Sequence, residues 1–238
     1  MAEKTEKGRE FLAGMHAGIP IVLGYIPVAV AYAVMARQAG FTAAETVAMS
    51  VAVYAGASQM MATEMYAQGA GISVIILAAL IMNLRHVVMS TCVVSRLQKT
   101  RPAMRLLLAF GVTDETFALF TAGAAGDGSA YYFWGLITAA YASWIAGSAL
   151  GAVVSGALPA LLSASLGIAL YALFIGLLVP NLRGNGRLGL LVAVTAAVSA
   201  VLSRFLPSGW SMIVSTLVCA AGGALVADKT AKEGKADE

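Results

Sequence analysis

Four ionisable residues interrupt apolar stretches of this sequence, where their charges need partners. Arg85 and His86 lie in one apolar run, and Asp114 and Glu115 lie together in the next. A charged side chain at the centre of a bilayer costs at least about 2.5–3.5 kcal/mol on insertion scales. We therefore expect Arg85 to pair with one of the two carboxylates. The pair could either line a substrate cavity or merely lock two helices together.

The adjacent acids also predict proton chemistry. Two neighbouring carboxylates cannot both stay ionised in apolar surroundings without help, because burial disfavours the ionised form. One could pair with Arg85 while the other holds a proton near neutral pH. We therefore assign proton coupling to His86, Asp114 or Glu115, as a proton-coupled carrier requires. The alternative is that both acids lie near water, at a chain break following Gly111.

Small and polar residues nearby could contact a ligand. Asn83 and His86 are three positions apart and share a helix face, whereas Arg85 points roughly 100° or more away from both. Gly56 allows a close backbone approach, and the Ser58 side chain that follows it could hydrogen-bond a ligand or freed carbonyls. The alternative is that such groups only join neighbouring helices.

The string Gly24-Tyr25-Ile26-Pro27 predicts an interruption of the first apolar run. Proline removes an intrahelical hydrogen bond, and a broken helix presents an N-terminus whose partial positive charge suits a carboxylate. The alternative is an ordinary proline kink. The complete set of candidate substrate-binding residues is Gly24, Tyr25, Pro27, Gly56, Ser58, Gln59, Asn83 and Arg85.

The composition indicates what must position these groups. The chain has 238 residues, of which 60% are hydrophobic and 11% charged, whereas soluble domains carry about 25% charged residues. We predict an all-α, polytopic helical membrane bundle of about seven to eight hydrophobic segments. It would form one domain over 1–238, with short cytoplasmic tails at 1–10 and 228–238. We expect no catalytic residues, metal or cofactor, and no nucleic-acid partner, since the basic clusters lack interleaved aromatics.

The second half of the sequence reads as plain membrane spans. Residues 128–182 contain no charge and are long enough for two spans, broken at 156–159. Two further spans are predicted at about 188–203 and 208–226. Small residues recur at every fourth position, which lets another helix approach closely, either within the chain or from a second subunit. They are Ala139, Ser143, Gly147, Gly151 and Ser155.

The first half contains four interrupted segments, at 11–35, 42–66, 72–94 and 104–122. If every basic cluster faces the cytoplasm, the segments at 42–66 and 104–122 must enter and leave on one side, as re-entrant hairpins from opposite faces. Such backbone is tolerated where it lies beside protein or a watered cavity. The alternative is eight full spans with one or two basic clusters outside.

These residues support a secondary transporter of a small polar or zwitterionic solute. An intramembrane serine hydrolase, with Ser58 as nucleophile and His86 as base, is a weaker alternative because a three-residue pattern carries little information. A passive channel or scaffold subunit is a third possibility. Trans-stimulated counterflow separates a carrier from a channel.

Four strings carry a family resemblance: GYIPVAVAYAV at 24–34, MSVAVYAGASQMMA at 49–62, LIMNLRHVVMS at 80–90 and GVTDETFAL at 111–119. The chain resembles the azaleucine-resistance (AzlC) family, the large subunit of bacterial branched-chain amino acid exporters. The resemblance implies a multi-pass protein of the bacterial cytoplasmic (inner) membrane that exports amino acids such as valine, driven by the proton gradient. It also implies a small four-helix AzlD-type membrane subunit as partner, besides the membrane lipid.

Overall fold

A computed structural model of the chain describes residues 2–97, 100–121, 129–157 and 186–206, with isolated positions between 175 and 223. The described residues are helical, with short connections and no strand. This confirms the all-α, membrane-type fold predicted from composition. In chain order the helices are α1 (Ala2–Ala17), α2 (Ile19–Gln38), α3 (Ala43–Val53), α4 (Gly56–Ala67), α5 (Ile72–Arg96), α6 (Pro102–Phe110), α7 (Asp114–Thr121), α8 (Ala130–Val154) and α9 (Gly186–Leu202).

Three of the described helices, α2, α5 and α8, are long and apolar enough to cross a membrane. They contain 20, 25 and 25 residues, which correspond to about 30–38 Å of helix. The first predicted span, 11–35, is wrong at its start, because residues 11–17 belong to α1 and a new helix begins at Ile19. Pro20, in the first turn of α2, suits a helix start. Residues 228–238 and most of the segments predicted at 158–182 and 208–226 lie outside the described residues.

The small-residue stripe of α8 packs against α2 of the same chain. A Cβ added at Gly147 would meet the Cβ of Ala29 at 2.8 Å. A Cβ added at Gly151 would meet the carbonyl oxygen of Val30 at 2.6 Å. The two helices therefore run parallel at close range. Gly147 and Gly151 therefore contact a helix of the same chain, which is the first of the two possibilities that the sequence left open.

The segment at 42–66 folds back on itself. Helix α3 ends at Tyr54, which has a left-handed backbone with φ 44°, and α4 begins at Gly56. The rings of Phe41 and Tyr66, at the two ends of the segment, have centroids 4.8 Å apart. A single straight helix of this length would hold its ends about 35 Å apart. The segment is therefore a hairpin, as the re-entrant alternative predicts.

The segment at 104–122 folds back in the same way from the other end of α5. The Ser90 hydroxyl of α5 donates to the carbonyl of Ala109 at 3.2 Å, so α6 runs back along α5. The guanidinium of Arg96, the last residue of α5, donates to the carbonyl of Thr121 at 3.4 Å. Since α7 ends beside the end of α5, α6 and α7 form a second hairpin.

The two hairpin tips meet halfway along α5 and α8. The rings of Tyr54 and Phe110, one from each tip, have centroids 6.2 Å apart. Tyr141, near the middle of α8, contacts both rings and donates its hydroxyl to the carbonyl of Val51 at 2.6 Å. One hairpin starts from the end of α5 at Ile72 and the other from the end at Arg96. The tips therefore approach from opposite faces of the bundle.

The helix contact between α2 and α8 makes a stability prediction. Gly151→Ala places a methyl group against the Val30 carbonyl, so we expect a loss of about 1–3 kcal/mol. Gly24→Ala places the same group in open space and should be neutral or stabilising by up to about 1 kcal/mol, because alanine favours helix. Thermal unfolding of the two purified variants measures this difference. Equal midpoints would contradict the close α2–α8 contact.

Candidate functional site

A cleft opens where the two hairpin tips meet α5. It contains about 600 Å³ of empty space, including its open mouth. Residues from α2, both hairpins, α5 and α8 line it. They are Tyr25, Val28, Tyr54, Ala55, Gly56, Ala57, Ser58, Asn83, Arg85, His86, Thr113, Asp114, Glu115 and Trp144.

An ion pair joins α5 to the second hairpin at the mouth of this cleft. Arg85 Nη1 lies 2.9 Å from Asp114 Oδ2, and the two side chains are 42% and 36% exposed. The pair predicted from the cost of an unpaired charge is therefore present. Because both side chains remain partly exposed, the pair borders the open space instead of being sealed within a helix contact.

Glu115, the second acid, is held by one hydroxyl group, that of Tyr25. The Tyr25 hydroxyl lies 2.6 Å from Glu115 Oε2 and 2.7 Å from the Thr113 hydroxyl, which joins α2 to the second hairpin. No salt bridge to Glu115 occurs among the described residues, because Arg85 is turned toward Asp114. The cleft therefore contains one paired and one unpaired carboxylate.

The first hairpin contacts α5 through a polar pair. Ser58 donates its hydroxyl to Asn83 Oδ1 at 2.8 Å. His86, one turn farther along α5, lines the same cleft. The Ser58 proton is therefore directed to an amide oxygen and not to the imidazole. A serine–histidine dyad would need the opposite arrangement, with the imidazole accepting that proton.

Two helices begin at the cleft, and their first turns differ. In α7, the Thr113 backbone N–H donates to the Thr116 hydroxyl at 2.8 Å, and the Thr116 N–H donates to the Thr113 hydroxyl at 3.3 Å. This N-terminus therefore has a reciprocal side-chain cap, and two acids occupy its first turn. In α4, the N-cap residue is Ala55, and no side chain caps it among the described residues.

Gln59 lies beneath the cleft, not in it. Its side chain is fully buried; Nε2 donates to Ser50 at 3.1 Å, and Oε1 accepts from Trp144 Nε1 at 3.0 Å. Ser50 also shares a 2.7 Å hydrogen bond with Ser148 of α8. Both ends of the amide are used, so Gln59 joins the first hairpin to α8 and supports the cleft wall.

The broken helix predicted at 24–27 is wrong, because α2 continues from Ile19 to Gln38 through Pro27. Gly24 and Pro27 are exposed and do not line the cleft, whereas Tyr25, on another face of the same turn, does. The remaining candidates, Gly56, Ser58, Asn83, Arg85, His86, Asp114 and Glu115, all line it.

The lining residues that sequence reasoning missed include Tyr54, Thr113 and Trp144. Thr113 directly precedes the acidic pair, where a helix cap is expected, so the capping pattern could have revealed it. Trp144 lies in the middle of an uncharged span, away from the interfacial positions that tryptophan favours.

The Trp144 ring also explains the glycine at the start of α4. A Cβ at Gly56 would lie 2.5 Å from this ring, so the start of α4 requires glycine.

The support role of Gln59 makes a second stability prediction. Gln59→Leu should cost about 1–3 kcal/mol for each buried group left without a partner, chiefly the Trp144 indole N–H. Gln68→Leu, at the exposed end of α4, is the matched control and should change the unfolding midpoint little. Thermal unfolding in detergent measures both variants. If Gln59→Leu kept wild-type stability, Gln59 would not support the wall.

Known proteins resemble this chain over most of its length. A family profile described as AzlC protein matches residues 20–158. The inner membrane protein YgaZ of Escherichia coli (strain K12) is 34% identical over 227 residues, covering 91% of this chain and 90% of that protein. An uncharacterized membrane protein of Archaeoglobus fulgidus is 35% identical over 182 residues, covering 75% of this chain and 79% of that protein.

A further relative is the branched-chain amino acid transport protein AzlC of Bacillus subtilis (strain 168). It is 24% identical over 155 residues, covering 64% of this chain and 61% of that protein. No solved structure matches the chain. The family match includes both hairpins, α5 and α8, the elements that build the cleft. The chain therefore belongs to the AzlC family of membrane transport proteins.

Proposed function

We propose that this protein is a secondary transporter that exports branched-chain amino acids, valine among them, across the bacterial cytoplasmic membrane in exchange for protons. The observation that carries the proposal is the cleft between two opposed hairpin tips, lined by one ion pair and one unpaired carboxylate. The name of the Bacillus subtilis relative supports the substrate class. The name of the Escherichia coli relative supports the inner membrane as location.

The charges of the cleft suit a zwitterion. Asp114 is paired with Arg85, so Glu115 is the carboxylate left for an ammonium group. Val28, Ala55 and Trp144 supply apolar lining for a short aliphatic side chain. The substrate ammonium would therefore lie near the second hairpin, with its side chain against α2 and α8.

Coupling follows if Glu115 binds either the substrate ammonium or a proton, but not both. A neutral carboxyl group no longer attracts the ammonium, so a proton taken up from the acidic outer side would release the amino acid there. On the inner side, loss of that proton would restore the site. Mutually exclusive binding at one carboxylate is sufficient for exchange.

The assembly and the rival functions belong to the same proposal. We expect a small four-helix AzlD-type subunit in the membrane beside this chain.

A passive channel would show no trans-stimulation of transport, which separates it from a carrier. An intramembrane hydrolase based on Ser58 is disfavoured by the direction of its hydrogen bond toward Asn83. A fluorophosphonate probe that labelled Ser58 would restore that alternative.

Valine transport in proteoliposomes, with and without the co-expressed small subunit, tests the proposal. The wild type should show trans-stimulated valine exchange and export driven by a pH gradient. Valine affinity should fall on acidification, because protons and ammonium compete for Glu115. Glu115→Gln should lower valine affinity at least about tenfold and abolish its pH dependence, since a charged partner is worth about 2 kcal/mol or more.

Glu64→Gln is the matched control, because Glu64 is exposed near the end of α4, away from the cleft. It should transport valine as the wild type does. Gradient-driven valine transport by Glu115→Gln at the wild-type rate would overturn the coupling assignment. Absence of valine exchange in the wild type, with the small subunit present, would overturn the substrate class.

A further inference from the structure

We infer that the first turn of α4 and the hydroxyl group of Tyr54 form a carboxylate-binding subsite at the tip of the first hairpin. The inference rests on the proposed transport of amino acids and names which part of the cleft receives the substrate carboxylate. Three positions among the candidate binding residues have the positive charge or helix start that a carboxylate needs: Arg85, Gly24 if a helix started there, and Gly56. The geometry favours the third.

The backbone N–H groups at the start of α4 have no side-chain cap among the described residues. The N-cap residue, Ala55, has no side-chain acceptor. Alanine is one of the poorest residues at an N-cap, where an oxygen-bearing side chain normally accepts from the first backbone N–H groups. Gly56, Ala57 and Ser58 form the first turn, and all three line the cleft. An anion in the cleft could accept these hydrogen bonds and meet the positive end of the helix dipole.

The Tyr54 hydroxyl is a second, independent observation at the same place. The side chain is 4% exposed and lines the cleft. Its hydroxyl has no hydrogen-bond partner within 3.5 Å in the described part of the chain. The neighbouring Tyr25 hydroxyl is directed toward Thr113 and Glu115. A buried hydroxyl without a partner is destabilising, and a bound carboxylate oxygen would remove that cost.

The backbone of Tyr54 supports the same interpretation. Among the described non-glycine residues, Tyr54 alone has a positive φ, at 44°. A left-handed backbone is strained in a non-glycine residue, and glycine would avoid that strain at this helix end. The chain therefore keeps a strained tyrosine at the hairpin tip, where its side chain lines the cleft together with the first turn of α4. Such strain is typical of binding sites.

The other places that could attract a carboxylate already have partners or lie outside the cleft. Arg85 is paired with Asp114, and a carboxylate bound there would compete with that pair. The α7 N-terminus is capped by Thr113 and Thr116 and has two acids in its first turn, which repel an anion. Gly24 lies on an exposed face of a continuous helix. The first hairpin thus presents the positive end of the α4 helix dipole to the ligand, whereas the second hairpin presents two carboxylates.

Three ligands separate the parts of the subsite in the full-length protein: valine, isovalerate, which lacks the ammonium, and isobutylamine, which lacks the carboxylate. Tyr54→Phe removes a single oxygen. We expect it to weaken binding of valine and isovalerate about tenfold and to leave isobutylamine binding unchanged. The unfolding midpoint without ligand should not fall, because the lost hydroxyl has no partner in the protein. Calorimetric titration and thermal unfolding measure these effects.

Tyr66→Phe is the control, since Tyr66 lies at the far end of the hairpin with an exposed side chain. It should bind all three ligands as the wild type does. Wild-type valine affinity in Tyr54→Phe, or equal loss for all three ligands, would overturn the subsite while leaving amino-acid transport intact. Isovalerate binding that depends on Tyr54, without any valine binding, would support the subsite and overturn the proposed transport. A wild type that binds no carboxylate would overturn both.

Discussion

Backbone that stops being helical halfway across a bilayer must find hydrogen-bond partners in protein or water, because lipid offers none. Two tips of this chain, at 54–55 and 111–113, meet that requirement together. They lie against each other and against the middle of α5 and α8, where Tyr54, Phe110 and Tyr141 form one aromatic contact. The ionisable residues that interrupt the apolar runs lie at or beside these tips, where protein and the cleft provide partners for them.

The Arg85–Asp114 pair fixes the second tip to α5, and the Ser58–Asn83 pair fixes the first. Gln59 and Trp144 hold the first hairpin to α8 below the cleft. A polar opening thus persists in an apolar bundle, and the Arg85 that borders it is paired with Asp114. Because its two walls belong to hairpins from opposite faces, movement of either hairpin against α5 would open the cleft to one side. This arrangement suits alternating access.

Part of the cleft could be predicted from the energetic cost of placing charged side chains inside apolar segments. The charges inside apolar runs identified four of the cleft residues, Arg85, His86, Asp114 and Glu115. The basic clusters, if all are cytoplasmic, predicted two re-entrant hairpins from opposite faces, with eight full spans as the alternative. Local patterns were less reliable. Gly24 and Pro27 suggested a break, yet α2 packs closely on α8 and stays continuous through proline. Gln59 resembled a ligand-binding residue, but three-dimensional pairing with Ser50 and Trp144 uses its amide. Tyr54 and Trp144 gave no signal, because their role depends on the tertiary contact between tips.

The hairpin topology is tested most directly by labelling from each side of the membrane. Single cysteines at Gln38, Gln68, Ala103 and Thr121, in a variant lacking Cys92 and Cys219, would be exposed to an impermeant maleimide in oriented vesicles. We predict that Gln38→Cys and Gln68→Cys label from one face, and that Ala103→Cys and Thr121→Cys label from the other. Labelling of the two ends of either segment from opposite faces would mean that the segment spans the membrane and would contradict this account.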